Sequence, residues 1–128
     1  MSQMSNYLEN ALVNGTIRGT TYTAPTTVYV ALYTTDPTDA DSGSEVSGGS
    51  YARQAVTFGA PSNGVSTNSG AVTFPTATAS WGTITHVGVR DASSAGNLLY
   101  YAPLTVSKTI ASGDIFTIST GNLSVTLA

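Results

Sequence analysis

The chain has 128 residues and a formal net charge of −3, and only 9% of its residues are charged. This length fits one domain with a real core, and a hydrophobic content of 41% is too high for intrinsic disorder. The chain has only four basic residues, and they are scattered, which argues against a nucleic-acid partner because few phosphates could be neutralised. The absence of cysteine excludes disulfides and thiolate catalysis, and no apolar run approaches the roughly 18 residues that span a membrane.

The first 15 residues contain the one good helix candidate, which begins at Asn6. Asn6 and Glu9 resemble a capping box, and Gly15 stands where a helix commonly ends. The sequence therefore predicts an N-terminal arm with a short helix over residues 1–15. This arm would either close one end of the domain or dock on a neighbouring subunit. Four apolar residues share one face of the predicted helix: Tyr7, Leu8, Ala11 and Leu12.

Residues 16–128 show the pattern of short strands separated by turns. The strongest strand is Val28–Tyr33, which is apolar on both faces and is therefore expected to be central or to have a covered outer face. We predict one all-β domain, an antiparallel β-sandwich or jelly-roll-like fold, with the short N-terminal helix attached. The further predicted strands are Tyr51–Phe58, Ala71–Phe74, Ile84–Arg90, Leu98–Ala102, Thr105–Ile110, Ile115–Ser119 and Leu123–Leu127.

A long loop over residues 34–50 interrupts this pattern and concentrates the acidic residues. Oxygen ligands of this kind suit Ca²⁺, although their spacing does not match an EF-hand loop. The alternatives are a solvated loop and a loop that contacts a basic neighbour. The calcium hypothesis rests on four residues: Asp36, Asp39, Asp41 and Glu45.

Catalysis has little support in the sequence. His86 is the only histidine, and no nucleophile elbow or phosphate-binding loop occurs. The alternation along its strand places His86 on one face with Ile84, Gly88 and Arg90. We expect a histidine that hydrogen-bonds to a neighbour in the sheet, and we predict a non-enzymatic protein without a cofactor.

The aromatic residues allow two interpretations. Trp81 with Tyr51, Tyr100 and Tyr101 could form a stacking platform for sugars or a subunit interface, because these side chains offer rigid area with one polar group. Ordinary core packing is the alternative. Tyr100 and Tyr101 are adjacent in a predicted strand, so they are expected to face opposite sides of the sheet.

The sequence also resembles a family of small tailed-bacteriophage virion proteins, which are described as phage structural or tail-fibre-like proteins. The stretches that carry the resemblance follow each other in order and span most of the chain. They are Tyr7–Leu12, Arg18–Pro25, Val28–Pro37, Glu45–Gln54, Trp81–Val89 and Gly96–Tyr100.

The resemblance implies a non-enzymatic, β-rich virion component that is synthesised in the cytoplasm of the bacterial host. A capsid decoration (cement) protein is expected first: a trimer that binds the major capsid protein on the outside of the head. A tail-fibre or tail-knob module that contacts the host surface and a carbohydrate-binding β-sandwich are the alternatives. Neither nucleic acid nor membrane is an expected partner. The interface candidates are Tyr7, Leu8, Leu12, Tyr29, Tyr33, Tyr100 and Tyr101.

Overall fold

The computed structural model describes residues 2–127. These residues form an antiparallel all-β fold with one short helix, which confirms the predicted fold class. The helix α1 covers Asn6–Ile17. The strands are β1 (Gln3–Met4), β2 (Val28–Tyr33), β3 (Gln54–Val56), β4 (Val65–Thr67), β5 (Val72–Thr73), β6 (Gly82–Arg90), β7 (Leu98–Ile110), β8 (Thr117–Ile118) and β9 (Ser124–Thr126).

The strands form one large sheet and two small ones. The large sheet has the order β1-β7-β6-β2-β3, and its neighbouring strands are all antiparallel. The small sheets pair β4 with β9 and β5 with β8. The main hydrophobic core joins residues of the large sheet to residues of the small ones, and it excludes water between the two layers.

Aromatic rings fill the centre of this main core. The centroid of the Phe74 ring lies 5.7 Å from that of Phe116 and 6.4 Å from that of Trp81, and both pairs are edge to face. All three side chains are buried, and burial of such a side chain stabilises the fold by about 1.5–3 kcal/mol. The core therefore depends on long-range contacts between the layers.

The opposite face of the large sheet is covered by α1 and the acidic loop. Ser5 begins the helix: its Oγ accepts a hydrogen bond from the Leu8 amide at 3.2 Å and donates to the Leu98 carbonyl of β7. The amide of Asn6 donates to the Asp39 carbonyl at 2.8 Å. A second, small core lies beneath these contacts and contains Ala31, Tyr33, Leu98 and Tyr101.

Both faces of β2 are thus covered within one chain. Val30 and Leu32 belong to the main core, whereas Ala31 and Tyr33 belong to the small one. The prediction of a central strand is confirmed, because β2 lies between β6 and β3. No neighbouring subunit is required to explain its apolar character.

The helix differs from the prediction at both ends. Ser5, not Asn6, is the N-cap, because only Ser5 reaches both the Leu8 amide and the sheet. Gly15 lies inside the helix, which ends at Ile17 with Arg18 as its C-cap. The chain returns close to Gly15, where an added Cβ would lie 3.4 Å from the Thr20 carbonyl oxygen, a distance of ordinary van der Waals contact.

The strand β7 is continuous where the sequence predicted two strands. It contains a bulge: His86 of β6 pairs with Pro103 and Ile84 pairs with Lys108, so four residues of β7 lie opposite Thr85. The bulge breaks the alternation, and Ile84 enters the main core instead of sharing a face with His86. The predicted common face for these two residues is therefore wrong.

Other predicted strands are shorter in the structure, and two were missed. Only Gln54–Val56 of the predicted Tyr51–Phe58 and Thr117–Ile118 of the predicted Ile115–Ser119 pair as strands. The strands β1 and β4 have two and three residues. A strand this short leaves no readable alternation, since one needs about four residues to show a period of two.

Candidate interaction surfaces

Two loops contact each other beside the large sheet: residues 34–50, which follow β2, and residues 91–97, which follow β6 from the opposite end of the antiparallel β2–β6 pair. We call these two loops together the loop end. Arg90, at the end of β6, connects them. Its Nη1 donates to Asp41 Oδ1 at 2.7 Å and to the Tyr33 hydroxyl at 2.9 Å. Its Nη2 donates to Asp41 Oδ2 at 2.9 Å and to the Gly96 carbonyl at 3.0 Å.

Arg53 makes a second connection of the same kind. Its Nε and Nη2 donate to the two carboxylate oxygens of Glu45 at 2.8 and 2.7 Å. Its Nη1 donates to the carbonyls of Ala92 and Ala95 at 2.9 and 2.8 Å. Both arginines therefore pair with a carboxylate of the first loop and with backbone carbonyls of the second, in the fork geometry that suits guanidinium.

Tyr51 adds a third partner for Glu45. Its hydroxyl donates to Glu45 Oε2 at 2.6 Å and accepts a hydrogen bond from the Leu32 amide at 3.0 Å. Burial and the hydrogen bond to the carboxylate raise the pKa of Tyr51. Burial alone would raise the pKa of Glu45, but the hydrogen bonds from Arg53 and Tyr51 outweigh it and lower that pKa. The loop is thus tied to the sheet through an ionised Glu45.

The backbone of the loop end is strained. Of the five non-glycine residues with positive φ in the described part of the chain, four lie in these loops. Such conformations cost free energy, above all for a β-branched residue, and persist where the surroundings hold them. Arg90 contacts Asp41 and Arg53 contacts the Ala95 carbonyl, whereas Thr38 donates its amide to Asp36 and Ser50 hydrogen-bonds to Thr78. The four residues are Thr38 (φ 60°), Asp41 (φ 56°), Ser50 (φ 66°) and Ala95 (φ 53°).

The four carboxylates of the calcium hypothesis do not converge. Asp41 and Glu45 are occupied by arginines, Asp39 accepts a hydrogen bond from Tyr101, and the amide of Thr38 donates to Asp36. Among residues 2–127, no group of three or more metal-ligating side chains lies close enough to hold an ion. The structure does not support one calcium site in this loop, because its acidic residues bind protein groups instead.

The predicted interface residues fall into separate environments. Leu8, Tyr33 and Tyr101 are buried within the chain and present no surface to a neighbour. Leu12, Tyr29 and Tyr100 are half-buried, and Tyr7 is 43% exposed. Tyr100 packs against the main core and Tyr101 belongs to the small one, so the predicted opposite orientation is confirmed.

Trp81 is a core residue and offers no platform for a sugar. It is only 4% exposed, and its Nε1 donates to the Gly49 carbonyl at 2.9 Å. The ring of Tyr51 meets it edge to face at 5.5 Å. The interpretation of Trp81 and Tyr51 as stacking platforms is therefore wrong, since both rings are occupied by core contacts.

His86 is a hydrogen-bonded residue of the sheet, as predicted. Its Nδ1 lies 2.8 Å from Thr85 Oγ1, and its Nε2 lies 3.9 Å from Asp36 Oδ1. The side chain is mostly buried on the face that the acidic loop covers. Its hydrogen bond lies within β6, and its one close approach to the acidic loop is to Asp36.

The sequence analysis missed two grooves between the layers. The first, the β7–β8 groove, has a volume of about 650 Å³ and is lined by β7 and by residues around β8. Val106 and Ile115 line it although they are 66% and 56% exposed, and Lys108 is its only charged side chain. The second groove has about 550 Å³ and is lined mainly by apolar residues, which include Phe58, Leu99, Tyr100, Val125 and Leu127.

Comparison with protein families identifies the group to which this chain belongs. The family described as Podophage GP4 fiber I protein gp80 matches residues 3–126, and the chain belongs to this family. No curated protein matches the sequence.

The match confirms what the resemblance indicated: the chain belongs to a family of phage virion structural proteins that are tail-fibre-like. Virion association follows from the same match. In residues 2–127, α1 is not long and apolar enough to cross a membrane, and no other helix is described there.

Proposed function

We propose that this chain is a non-catalytic module of a virion fibre and that it contacts the host surface through the loop end. The family match supports the fibre assignment. The observation that carries the rest is the connection of both loops by Arg53 and Arg90, which fixes them before any partner arrives. A preorganised surface loses less conformational entropy on binding than a mobile one.

The exposed side chains of the loop end define the partner's chemistry. Asp36, Thr38, Ser42, Ser93 and Ser94 are exposed and present hydroxyl and carboxylate groups. Such groups hydrogen-bond to polar, hydroxyl-rich surfaces, while the paired arginines offer little free positive charge. A polar surface on the host cell envelope fits this chemistry.

The first test locates the protein on intact particles. Gold-labelled antibody should mark the tail or its fibres if the module meets the host. Label spread evenly over the head would instead favour the decoration role, in which a trimer binds the major capsid protein and stabilises the shell. Binding of the purified chain to empty heads, with a rise in their melting temperature, would support that second arrangement.

The second test asks whether the loop end makes the contact. The purified chain should compete with virions for adsorption to host cells. Ser94→Trp places a bulky ring on the 91–97 loop and should reduce this competition. Thr109→Trp, at an exposed position on β7, is the matched control and should compete normally. Equal competition by both variants would exclude the loop end as the contact surface.

A further inference from the structure

We propose that the chain self-associates by docking α1 of one copy into the β7–β8 groove of a second copy, with Glu9 facing Lys108. The proposed contact joins copies of this chain to each other, so it applies whether the protein is attached to the tail or to the head. It is argued from two surfaces of the same chain that both expose apolar side chains and that carry opposite charges.

The first surface is a stripe on the solvent side of α1. Glu9, Val13 and Ile17 follow one another at intervals of four residues, so they lie along one side of the helix. Val13 is 51% exposed and Ile17 is 79% exposed. The helix packs on the sheet through Leu8, one residue before Glu9, which leaves this stripe without a partner in its own chain.

The second surface is the β7–β8 groove. It presents Val106 and Ile115, two branched aliphatic side chains that are more than half exposed. It also contains Lys108, and its lining includes no acidic residue. Large exposed apolar side chains that gather in one concave surface mark interaction sites more often than scattered ones do.

The charges of the two surfaces are complementary. Within residues 2–127, the ion pairs involve Arg53, Arg90 and His86, and neither Glu9 nor Lys108 takes part in one. Each surface thus offers two branched aliphatic side chains and one charge, of opposite sign to the other, that takes part in no ion pair among the described residues. Opposite charges at a contact favour the correct register and exclude competing ones.

The dimensions allow this docking. The stripe from Glu9 to Ile17 is about 12 Å long, at 1.5 Å per helical residue. The groove follows β7 from Ala102 to Ile110, a run that would span about 25 Å if fully extended and is shortened by the bulge. The contact joins two different surfaces, so it is heterologous and closes into a ring when the rotation between copies permits. The trimer that the resemblance to phage virion proteins implies is one such ring.

The free edge of β7 argues for side-chain docking rather than for strand addition. Beyond Tyr101 this edge pairs with no strand among the described residues. However, Pro103 offers no amide hydrogen, Lys108 adds a charge, and the bulge opposite Thr85 distorts the edge. These are the features that prevent pairing with a further strand. A helix that contacts side chains in the groove does not need the edge.

Sedimentation of the full chain over a range of concentrations tests the contact. We expect a concentration-dependent oligomer whose dissociation constant rises about tenfold in Glu9→Lys and in Lys108→Glu, because each change opposes like charges. The double variant restores opposite charges and should recover most of the wild-type affinity. Val13→Ser should also weaken assembly, whereas Val65→Ser, an exposed valine on β4, is the matched control.

Circular dichroism melting of each variant shows that the subunit is still folded. A wild-type chain that stays monomeric at every concentration would overturn the proposal. So would an oligomer that both charge reversals leave unchanged, or a double variant no better than the single ones. None of these results depends on adsorption to cells, so failure here and failure of the host-contact proposal are distinguishable.

Discussion

The loop end and the β7–β8 groove differ in how their charged side chains are paired. At the loop end, Arg53 and Arg90 each bind a carboxylate with two hydrogen bonds and reach carbonyls of a second loop. In the groove, Lys108 has no ionic partner within the described chain, and neighbouring Val106 is largely exposed. Charges that are satisfied internally rigidify a surface, whereas unpaired charge and exposed apolar area remain available to another molecule.

The comparison also separates two kinds of energetic cost. The loop end stores backbone strain at residues such as Thr38, and internal contacts compensate for it. The groove stores no such strain, but it leaves apolar side chains in water, and only association removes them from it. Substitutions at the loop end should therefore change subunit stability, and substitutions in the groove should change assembly.

The largest effect is expected from Arg90→Met. The variant leaves the Tyr33 hydroxyl and the Asp41 carboxylate without their partner, and a broken, largely buried ion pair costs about 3 kcal/mol. Urea unfolding should show a lower free energy of unfolding by that amount. Arg18→Met, on an exposed arginine at the end of α1, is the control and should change it little. A loss below about 1 kcal/mol in Arg90→Met would show that the pair does not hold the loops.

The next largest expected effect is a pH dependence of the free energy of unfolding, which comes from Glu45. The pKa of Glu45 is lowered by Arg53 and Tyr51, so its contribution to stability is present above the ordinary glutamate pKa and is lost as the pH falls through the lowered value. Wild-type stability should therefore fall between about pH 5 and pH 3. Glu45→Gln should be less stable at neutral pH and should show a flatter decline in this range. Urea midpoints at several pH values check this, and parallel curves would contradict it.

A smaller effect of opposite sign is expected from Thr38→Asn. Thr38 has φ 60°, which disfavours a β-branched side chain and is tolerated by asparagine. The free energy of unfolding should rise by about 0.5–1 kcal/mol because the strain decreases. Thr20→Asn, at an exposed position without positive φ, should give no gain. Equal effects in both variants would show that the strain is not what changes stability.

The smallest effect on the subunit is expected from Lys108→Ala. Lys108 is exposed and makes no hydrogen bond or ion pair through its side chain within residues 2–127, so the free energy of unfolding should stay within about 0.5 kcal/mol. The oligomer should nevertheless dissociate more readily in sedimentation. A clear loss of subunit stability would mean that the groove, like the loop end, serves the fold itself.

The sequence predicted the elements whose signal is local. The apolar stripe near residues 7–12 identified α1, and the apolar character of both faces of residues 28–33 identified β2 as a covered central strand. The resemblance to phage virion proteins was carried by residues spread over most of the chain, and the family match confirms it. Signals of this kind can be read from the sequence because they do not depend on which distant residues come into contact.

The sequence did not predict which side chains pair with each other. Asp41 and Arg90 are 49 positions apart, and Arg53 reaches carbonyls 39 and 42 positions away. The composition showed a loop with four acidic residues, for which calcium was a reasonable ligand. Only the sheet order brings β6 and the 91–97 loop beside it, so that arginines occupy the carboxylates instead.

By itself, then, the sequence determined an antiparallel β domain with a short helix, few charges and a virion family. The tertiary structure decided which faces are open. The bulge of β7 opposite Thr85 accompanies the turn of Ile84 into the core, and Ser5 anchors α1 so that Leu8 is buried and Val13 faces solvent. Local patterns reflect the period of a strand or helix, but exposure depends on what packs against it, and that is set by long-range contacts.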